Sequence, residues 1–421
     1  MLKLAVSTRS STMGWTWDAG RYSNASSWVE PYNHPSLETL AATDSASTLI
    51  CIRERANTSP AVGSAVQQLP DRIAFDRLQR EVSSWPLDFI LVCIEDGHVR
   101  ILAGSWGTAP IYITVNGDTI VGSWRITDLA QRIDRRQFLD REVARLLTLR
   151  HRYSSDTIFP DIHRLTERAE ATLSSGGLEI RYPEPAQHAL PRKLRPGTDV
   201  LDFYEKSLAG SIQARHFDPA EVVIELSGGL DSTNVAMTLH RLYPTRILSY
   251  ALMIGGLAGK QQQHRRQAVV DRCGFDDHQV QLLDNLPFGQ AGPPEPPVAA
   301  PYDEPYLAAF SKLLGLARHT GARVAMTGIG GDELVAPYAT EAEIPAAITS
   351  ARTPLPEWLG PRTLRAFGEI DDGIAPGATA AESSLLATAC RAPAFLDAGI
   401  WPISPFCAPL LIRFAESLPY E

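Results

Sequence analysis

The stretch Val222–Ser232, VVIELSGGLDS, decides the fold. Val222, Val223, Ile224 and Leu226 are apolar and mostly β-branched, as in a strand covered on both faces of a parallel sheet. Ser227, Gly228 and Gly229 then allow a sharp turn and bring backbone N–H groups close to an anion, because glycine adds no Cβ. Thr233–Leu242 reads as a helix behind this loop, with its N-terminal dipole facing the same anion. Asp231 supplies a carboxylate where a Mg²⁺ bridging phosphate oxygens would sit. The loop lacks the Gly-Lys-Ser/Thr ending of the other common phosphate loop. Residues 323–333, RVAMTGIGGDE, repeat the arrangement: a strand (Val324, Ala325, Met326), a glycine-rich loop and a carboxylate, Asp332. Taken singly, Asp332-Glu333 reads as a cap on the following segment. Open α/β sheets bind ligands outside the carboxyl ends of their strands, so two such loops are expected to converge on one crevice.

SGGLDS (227–232) resembles the SGG-x-DS loop of the ATP pyrophosphatases, which split ATP between its α and β phosphates. Followed about a hundred residues later by TGIGGDEL (327–334), it looks like the synthetase domain of the asparagine synthetase family. That family includes glutamine-dependent asparagine synthetases, β-lactam synthetases and the macrolactam-forming cyclases of lasso peptides. Asp303-Glu304-Pro305, behind PPEPPVAAP, matches its acidic-proline element, and Ile403–Pro419 is similar to its closing helix. The resemblance spans about Arg195 to Glu421. It implies ATP and Mg²⁺, with phosphates on Ser227, Gly228, Gly229 and Ser232 and the metal on Asp231 and Asp332. The adenine is then expected near Leu226, Leu252 and Thr327, largely on backbone groups, with Gly328 in the same nucleotide-binding set.

The preceding residues fit the same family. VRILAG, GTAPIYITV, an Asn116-Gly117 turn and TIVGSW read as paired strands, since Asn-Gly between alternating apolar runs signals a hairpin. Phe138–Leu147 reads as a helix, and a final hairpin is expected around Gly176-Gly177. GTAPIYITVNGDTIVGS resembles part of an amidotransferase-type (Ntn-type) α/β-sandwich. The expected organisation is α/β throughout. Residues 1–190 form an amidotransferase-like domain and 195–421 a synthetase domain with a parallel sheet flanked by helices. The proline-bearing stretch 184–197 is the linker.

Three departures from the family pattern shape the functional expectation. Its glutamine-hydrolysing members use an N-terminal cysteine, whereas here Met1-Leu2-Lys3 leads and the first cysteine is Cys51, within the apolar run TLICI. Cys51 reads as a small buried hydrophobe, so glutamine hydrolysis is not expected and the amine must come with a substrate. Ile329 occupies a position that often carries a polar or acidic residue. A general base must then come from elsewhere, with Glu333 and Glu304 as candidates, though both also read as solvated loop carboxylates. The family's lysine beyond the closing helix has no match among Lys3, Lys193, Lys206, Lys260 and Lys312. Lys260, in KQQQHRR, is the candidate replacement, with Arg265 and Arg266 as alternatives; a partner polypeptide supplying the missing segment is another. The expected activity is AMP-forming amide ligation of a small-molecule or peptide carboxylate with an amine, of lactam or macrolactam type. A non-catalytic relative is the alternative.

Composition narrows the rest. A chain of 421 residues with 44% hydrophobic content suits two domains, and no apolar run is long enough to cross a bilayer. Five scattered cysteines without a CxxC pair, and no signal peptide, suggest reduced thiols in a cytoplasm and no zinc site. A net charge of −9 and pI near 5.6 oppose nonspecific nucleic-acid binding, and the short arginine clusters read as solvated faces.

Overall fold

The computed structural model describes every residue except Ser11, Met13, Ser59, Ala61, Arg135, Arg246, 287–303, 335–353, Tyr420 and Glu421. The N-terminal half supplies β1 (Leu2–Ser7), β2 (Thr16–Asp18), β3 (Arg21–Ser23), β4 (Trp28–Pro31), β5 (Leu37–Thr43), β6 (Ser47–Glu54) and β7 (Val66–Gln68). Helix α1 (Arg72–Ser83) follows, then β8 (Phe89–Glu95), β9 (His98–Ala103), β10 (Ile111–Asn116) and β11 (Thr119–Ser123). Helix α2 (Asp140–Leu147), β12 (His163–Leu165), β13 (Glu170–Ser174) and β14 (Gly177–Arg181) complete it.

These strands make two seven-stranded sheets, β12-β10-β11-β1-β4-β3-β2 and β14-β13-β9-β8-β6-β5-β7. Leu4, Val6 and Ile113 of the first and Ile50, Ile52 and Val92 of the second share one core, so the sheets pack face to face. Because side chains alternate along a strand, the other face of the second sheet presents Leu49, Cys51 and Leu91, which α1 covers with Phe75 and Val82. The expected hairpin is present, shifted by one residue: Asn116 pairs with Thr119, so Gly117-Asp118 forms the turn. Gly117 takes φ +62°, which the two-residue turn requires and glycine adopts without strain. The helix expected from Phe138 begins at Asp140.

The C-terminal half begins with α3 (Val200–Gln213) and continues with β15 (Val222–Glu225), α4 (Leu230–Leu242), β16 (Leu248–Met253), α5 (Gly256–Cys273) and β17 (Asp276–Gln281). It ends with α6 (Leu307–His319), β18 (Val324–Met326), α7 (Gly331–Leu334), α8 (Pro361–Ala366), α9 (Glu382–Asp397), β19 (Trp401–Ile403) and α10 (Pro409–Glu416). The five strands form one parallel sheet, ordered β17-β16-β15-β18-β19. Val222, Ile224 and Leu226 pack on one face with Leu208, Val235 and Leu239, while Val223 and Tyr250 pack on the other with Phe310 and Phe395. Burial on both faces is the reason Val222–Ile224 reads as an uninterrupted apolar run.

The halves are tied by a buried carboxylate. Glu54, on β6, accepts from Arg215 Nε (3.2 and 3.1 Å), Trp401 Nε1 (2.7 Å) and the Asp88 backbone N–H (3.1 Å). The proline-bearing connection 184–197 is also held. Glu416 of α10 accepts from the Ala189 N–H and contacts His188 Nδ1, both at 2.6 Å, and the Arg192 N–H donates to the Ser417 carbonyl.

Candidate functional site

The phosphate-loop candidate is built from side-chain hydroxyls that brace its own backbone. Ser232 Oγ accepts from the Ser227 N–H (3.2 Å) and lies 3.0 Å from Ser227 Oγ, which itself accepts from the Gly229 N–H (3.2 Å). Gly228 holds φ +82°, and a Cβ there would lie 3.0 Å from both the Gln262 carbonyl oxygen and Arg266 Cγ. A side chain at 228 is therefore excluded twice, by conformation and by the wall of α5. Helix α4 starts at Leu230, three residues earlier than expected, with Gly229 as its N-cap. Asp231 and Ser232 thus belong to the helix's first turn, where the exposed backbone N–H groups and dipole favour anions.

The second loop closes directly onto the first. A Cβ on Gly328 would lie 2.8 Å from the Ser232 nitrogen, and one on Gly331 only 2.2 Å from Asp231 Cγ. Gly330, at φ +98°, turns the chain beside Cys407. Gly328 therefore serves a backbone-to-backbone approach and Gly331 leaves room for the Asp231 side chain, and the result brings Asp332 against Asp231. Burial, the Asp332 charge and a side-chain hydrogen bond with Asp332 raise the Asp231 pKa, with Glu333 adding to it. Tyr204 of α3 stands close enough that burial and the Asp231 charge raise its phenol.

Of the other nucleotide-binding candidates, Leu226 and Thr327 directly follow the strands that carry the two loops. Leu226 is buried and continues β15. Thr327, also buried, lies 2.9 Å from Ser404 Oγ and accepts from the Ile329 N–H (3.3 Å). The Leu252 backbone, at the end of β16, meets α5: its carbonyl accepts from Gln262 Nε2 at 2.9 Å. Ile329 packs half-buried against the main core.

The candidate acids and cations separate. Glu333 accepts from Ser383 Oγ at 2.5 Å beside the paired aspartates. Glu304 instead joins a half-buried triad: Arg391 donates from Nε to Glu304 (2.9 Å) and from a terminal nitrogen to Glu225 (2.8 Å), with its guanidinium over the Phe310 ring. Asp303 lies outside the described residues. Lys260 and Arg265 are exposed on α5. Arg266 is fully buried, donating to the Leu226 carbonyl (2.5 Å) and to Asp277 (2.5 and 3.3 Å). It is a strut between loop and sheet, committed through its whole guanidinium. Cys51 is buried in β6, where burial pushes its thiol up.

Two hard carboxylate donors held in contact, one with its ionisation disfavoured by the other, are a donor set that a Mg²⁺ ion would neutralise. Among the described residues no cluster of three or more His, Cys, Asp or Glu could hold a metal alone, so phosphate oxygens and water would complete the shell. A 360 Å³ cavity elsewhere is lined by N-terminal residues, including Trp17, Tyr32, His34 and Arg55.

Residues 204–385, which contain both loops, match the family model for asparagine synthase. This segment is an asparagine synthase domain. No curated protein matches the chain. Among solved structures, the U34-tRNA thiolase NcsA from Methanococcus maripaludis is similar at 14% identity and a TM-score of 0.25, covering 45% of this chain and 71% of that one. The structure described as the allosteric regulatory enzyme of purine biosynthesis is similar at 8% identity and 0.25, covering 73% and 76%. Glutamine phosphoribosylpyrophosphate amidotransferase from B. subtilis, complexed with ADP and GMP, gives 10% identity and 0.23, covering 72% and 68%. In the asparagine synthase domain, the sequence reading had missed Gly331 as the contact that seats Asp231, Arg266 as the strut and Gln262 as the partner of Leu252. A legible signal existed for the last two: Gln262 and Arg266 are four apart and share one face of α5.

Proposed function

We propose that this protein is an ATP-dependent, AMP- and pyrophosphate-forming amide ligase that joins a substrate carboxylate to an amine without hydrolysing glutamine. The observation that carries the reading is the contact between Asp231 and Asp332 at two strand-terminal loops of an asparagine synthase domain. In this reading Ser227, Gly228, Gly229 and Ser232 cradle the leaving phosphates, with the dipole of α4 behind them. Asp231 and Asp332 would hold a Mg²⁺, which supplies charge neutralisation on the phosphates when bound. The substrate carboxylate attacks the α-phosphate, pyrophosphate leaves, and the amine then attacks the acyl carbon to release AMP. Holding both reactants in one crevice makes the second step effectively unimolecular. Glu333 is the better placed general base, since Glu304 is engaged by Arg391.

The absence of a glutaminase step is supported by the thiols. Of the five cysteines, Cys51, Cys93, Cys273 and Cys407 are buried, and burial pushes each of these thiols up, away from nucleophilic character, while Cys390 is half-buried within α9. Lactam or macrolactam formation in peptide or natural-product biosynthesis is the setting proposed, with Lys260 as the candidate cation for the phosphates. Incubation with Mg²⁺–ATP and a panel of amino-acid and peptide acids tests the reading. AMP and pyrophosphate released in equal amounts, with no glutamate from added glutamine, are expected; ADP, or glutamate above background, would count against it. The half-buried Ile329 favours one other reading, a non-catalytic relative, for which no acid elicits AMP.

A further inference from the structure

The end of β16 carries a hydrogen-bonding pair that the sheet does not use. In a parallel sheet alternate residues address alternate neighbours. The Tyr250 carbonyl accepts from the Leu226 N–H on the β15 side, and the Met253 carbonyl from the Leu282 N–H on the β17 side, both at 2.9 Å. The Leu252 carbonyl and Ile254 N–H therefore face the β15 side, where the chain has already turned away at Ser227 into the phosphate loop. The Gln262 amide fills that place: Nε2 donates to the Leu252 carbonyl (2.9 Å) and Oε1 accepts from the Ile254 N–H (3.0 Å). Its orientation follows from the partners, since a carbonyl only accepts and an N–H only donates.

We infer that Gln262 is a displaceable cover over a base-reading pair, occupying in the free protein the position that adenine takes in the nucleotide complex. The inference rests on the ligase reading above. A primary amide sets a donor beside an acceptor, as adenine does with its 6-amino group and N1, whereas guanine presents the reverse order with O6 and N1–H. The location fits a nucleotide whose phosphates lie on the neighbouring loop, because the Gln262 backbone is the wall that Gly228 approaches. The helix itself is fixed. Arg266 anchors it to Leu226 and Asp277, and a Cβ on Gly259 would lie 2.0 Å from the Ile254 carbonyl oxygen. Only the half-buried Gln262 side chain has to rotate, and adenine restores both hydrogen bonds that it gives up. The cover thus lowers apparent ATP affinity by the fraction of time it is closed.

Calorimetric titration of the full chain tests this with three probes in Mg²⁺ buffer: ATP, GTP and tripolyphosphate. Gln262→Ala is expected to bind ATP about 5- to 150-fold more tightly than the wild type, the span of two neutral hydrogen bonds. Tripolyphosphate affinity should stay unchanged, and GTP should bind neither chain better than tripolyphosphate does. Gln262→Met, similar in length but without the amide, is expected to shift ATP in the same direction and keeps the test open if the alanine variant unfolds. Equal or weaker ATP binding by the variants, with ATP still bound by the wild type, overturns the cover alone. ATP bound by neither chain overturns the cover and the ligase reading beneath it.

Discussion

Gly331 and Asp231 occupy one space: a Cβ on the glycine would sit 2.2 Å from the aspartate's Cγ and 2.6 Å from its Oδ1. The pairing of the two carboxylates therefore depends on a residue that carries no chemistry. Gly331→Ala is expected to push Asp231 off Asp332 and reduce ATP–pyrophosphate exchange at least about a hundredfold, comparable to losing one preorganised donor. Overpacking should cost about 1–3 kcal/mol of stability. Exchange within a few-fold of wild type would show that the Asp231 position is not critical.

Asp231→Asn is expected to abolish exchange with the far-UV circular dichroism unchanged, and unchanged exchange would remove Asp231 from the metal site. Stability adds a second readout. Burial and the Asp332 charge raise the Asp231 pKa, so its contribution is fully present below the unfolded-state value and is lost as pH rises through the folded one. At neutral pH the free pair is destabilising. Asp332→Asn should raise the melting temperature of the free protein slightly, by at most about 1 kcal/mol in stability because the pair is largely solvated. It should also remove the stabilisation conferred by Mg²⁺–ATP. A lower melting temperature at pH 8 would contradict the repulsion.

Arg391 neutralises two carboxylates at once, Glu225 at the end of β15 and Glu304 before α6. Arg391→Met should destabilise by about 1–3 kcal/mol, since it leaves two half-buried carboxylates without their hydrogen-bonding partner. Chemical denaturation measures it, and a loss below about 0.5 kcal/mol would reduce the role of Arg391 to packing on Phe310.

The sequence disclosed the centre of the parallel sheet and hid its edges. Val222–Ile224 and Val324–Met326 are central and apolar on both faces, so pattern alone identifies them. The outer strands are Asp276–Gln281, entirely polar but for Val280, and Trp401–Ile403, which carries Pro402. Edge strands tolerate charge and proline because one side needs no ladder partner, and those residues remove the strand signal. The site divides in the same way. Ser227, Asp231 and Asp332 announce themselves as chemistry-bearing residues in glycine-rich loops. The burial of Arg266 and the engagement of Glu304 by Arg391 depend on partners 11 to 87 residues away, which no local pattern encodes.

His34 offers a pH test of the joint between the halves. Its Nδ1 accepts from the Ser36 N–H (3.1 Å) and its Nε2–H donates to the Arg323 carbonyl (3.0 Å), an arrangement that only the neutral ring can make. Burial lowers its pKa to about 4, the Arg323 charge contributing in the same direction. With the folded value below the unfolded 6.5, its stabilising effect is present above pH 6.5 and is lost as pH falls toward 4, a change of about 3 kcal/mol. Glu167 and Asp88 work oppositely, since burial raises them to about 7 and about 6, so the wild-type profile alone mixes the terms. The difference between wild type and His34→Gln isolates the ring. The variant, which cannot take up a proton, should be less stable at pH 7 and lose less on acidification to pH 4.5. Parallel profiles for the two proteins would mean that the imidazole protonates in place without breaking its contact to Arg323.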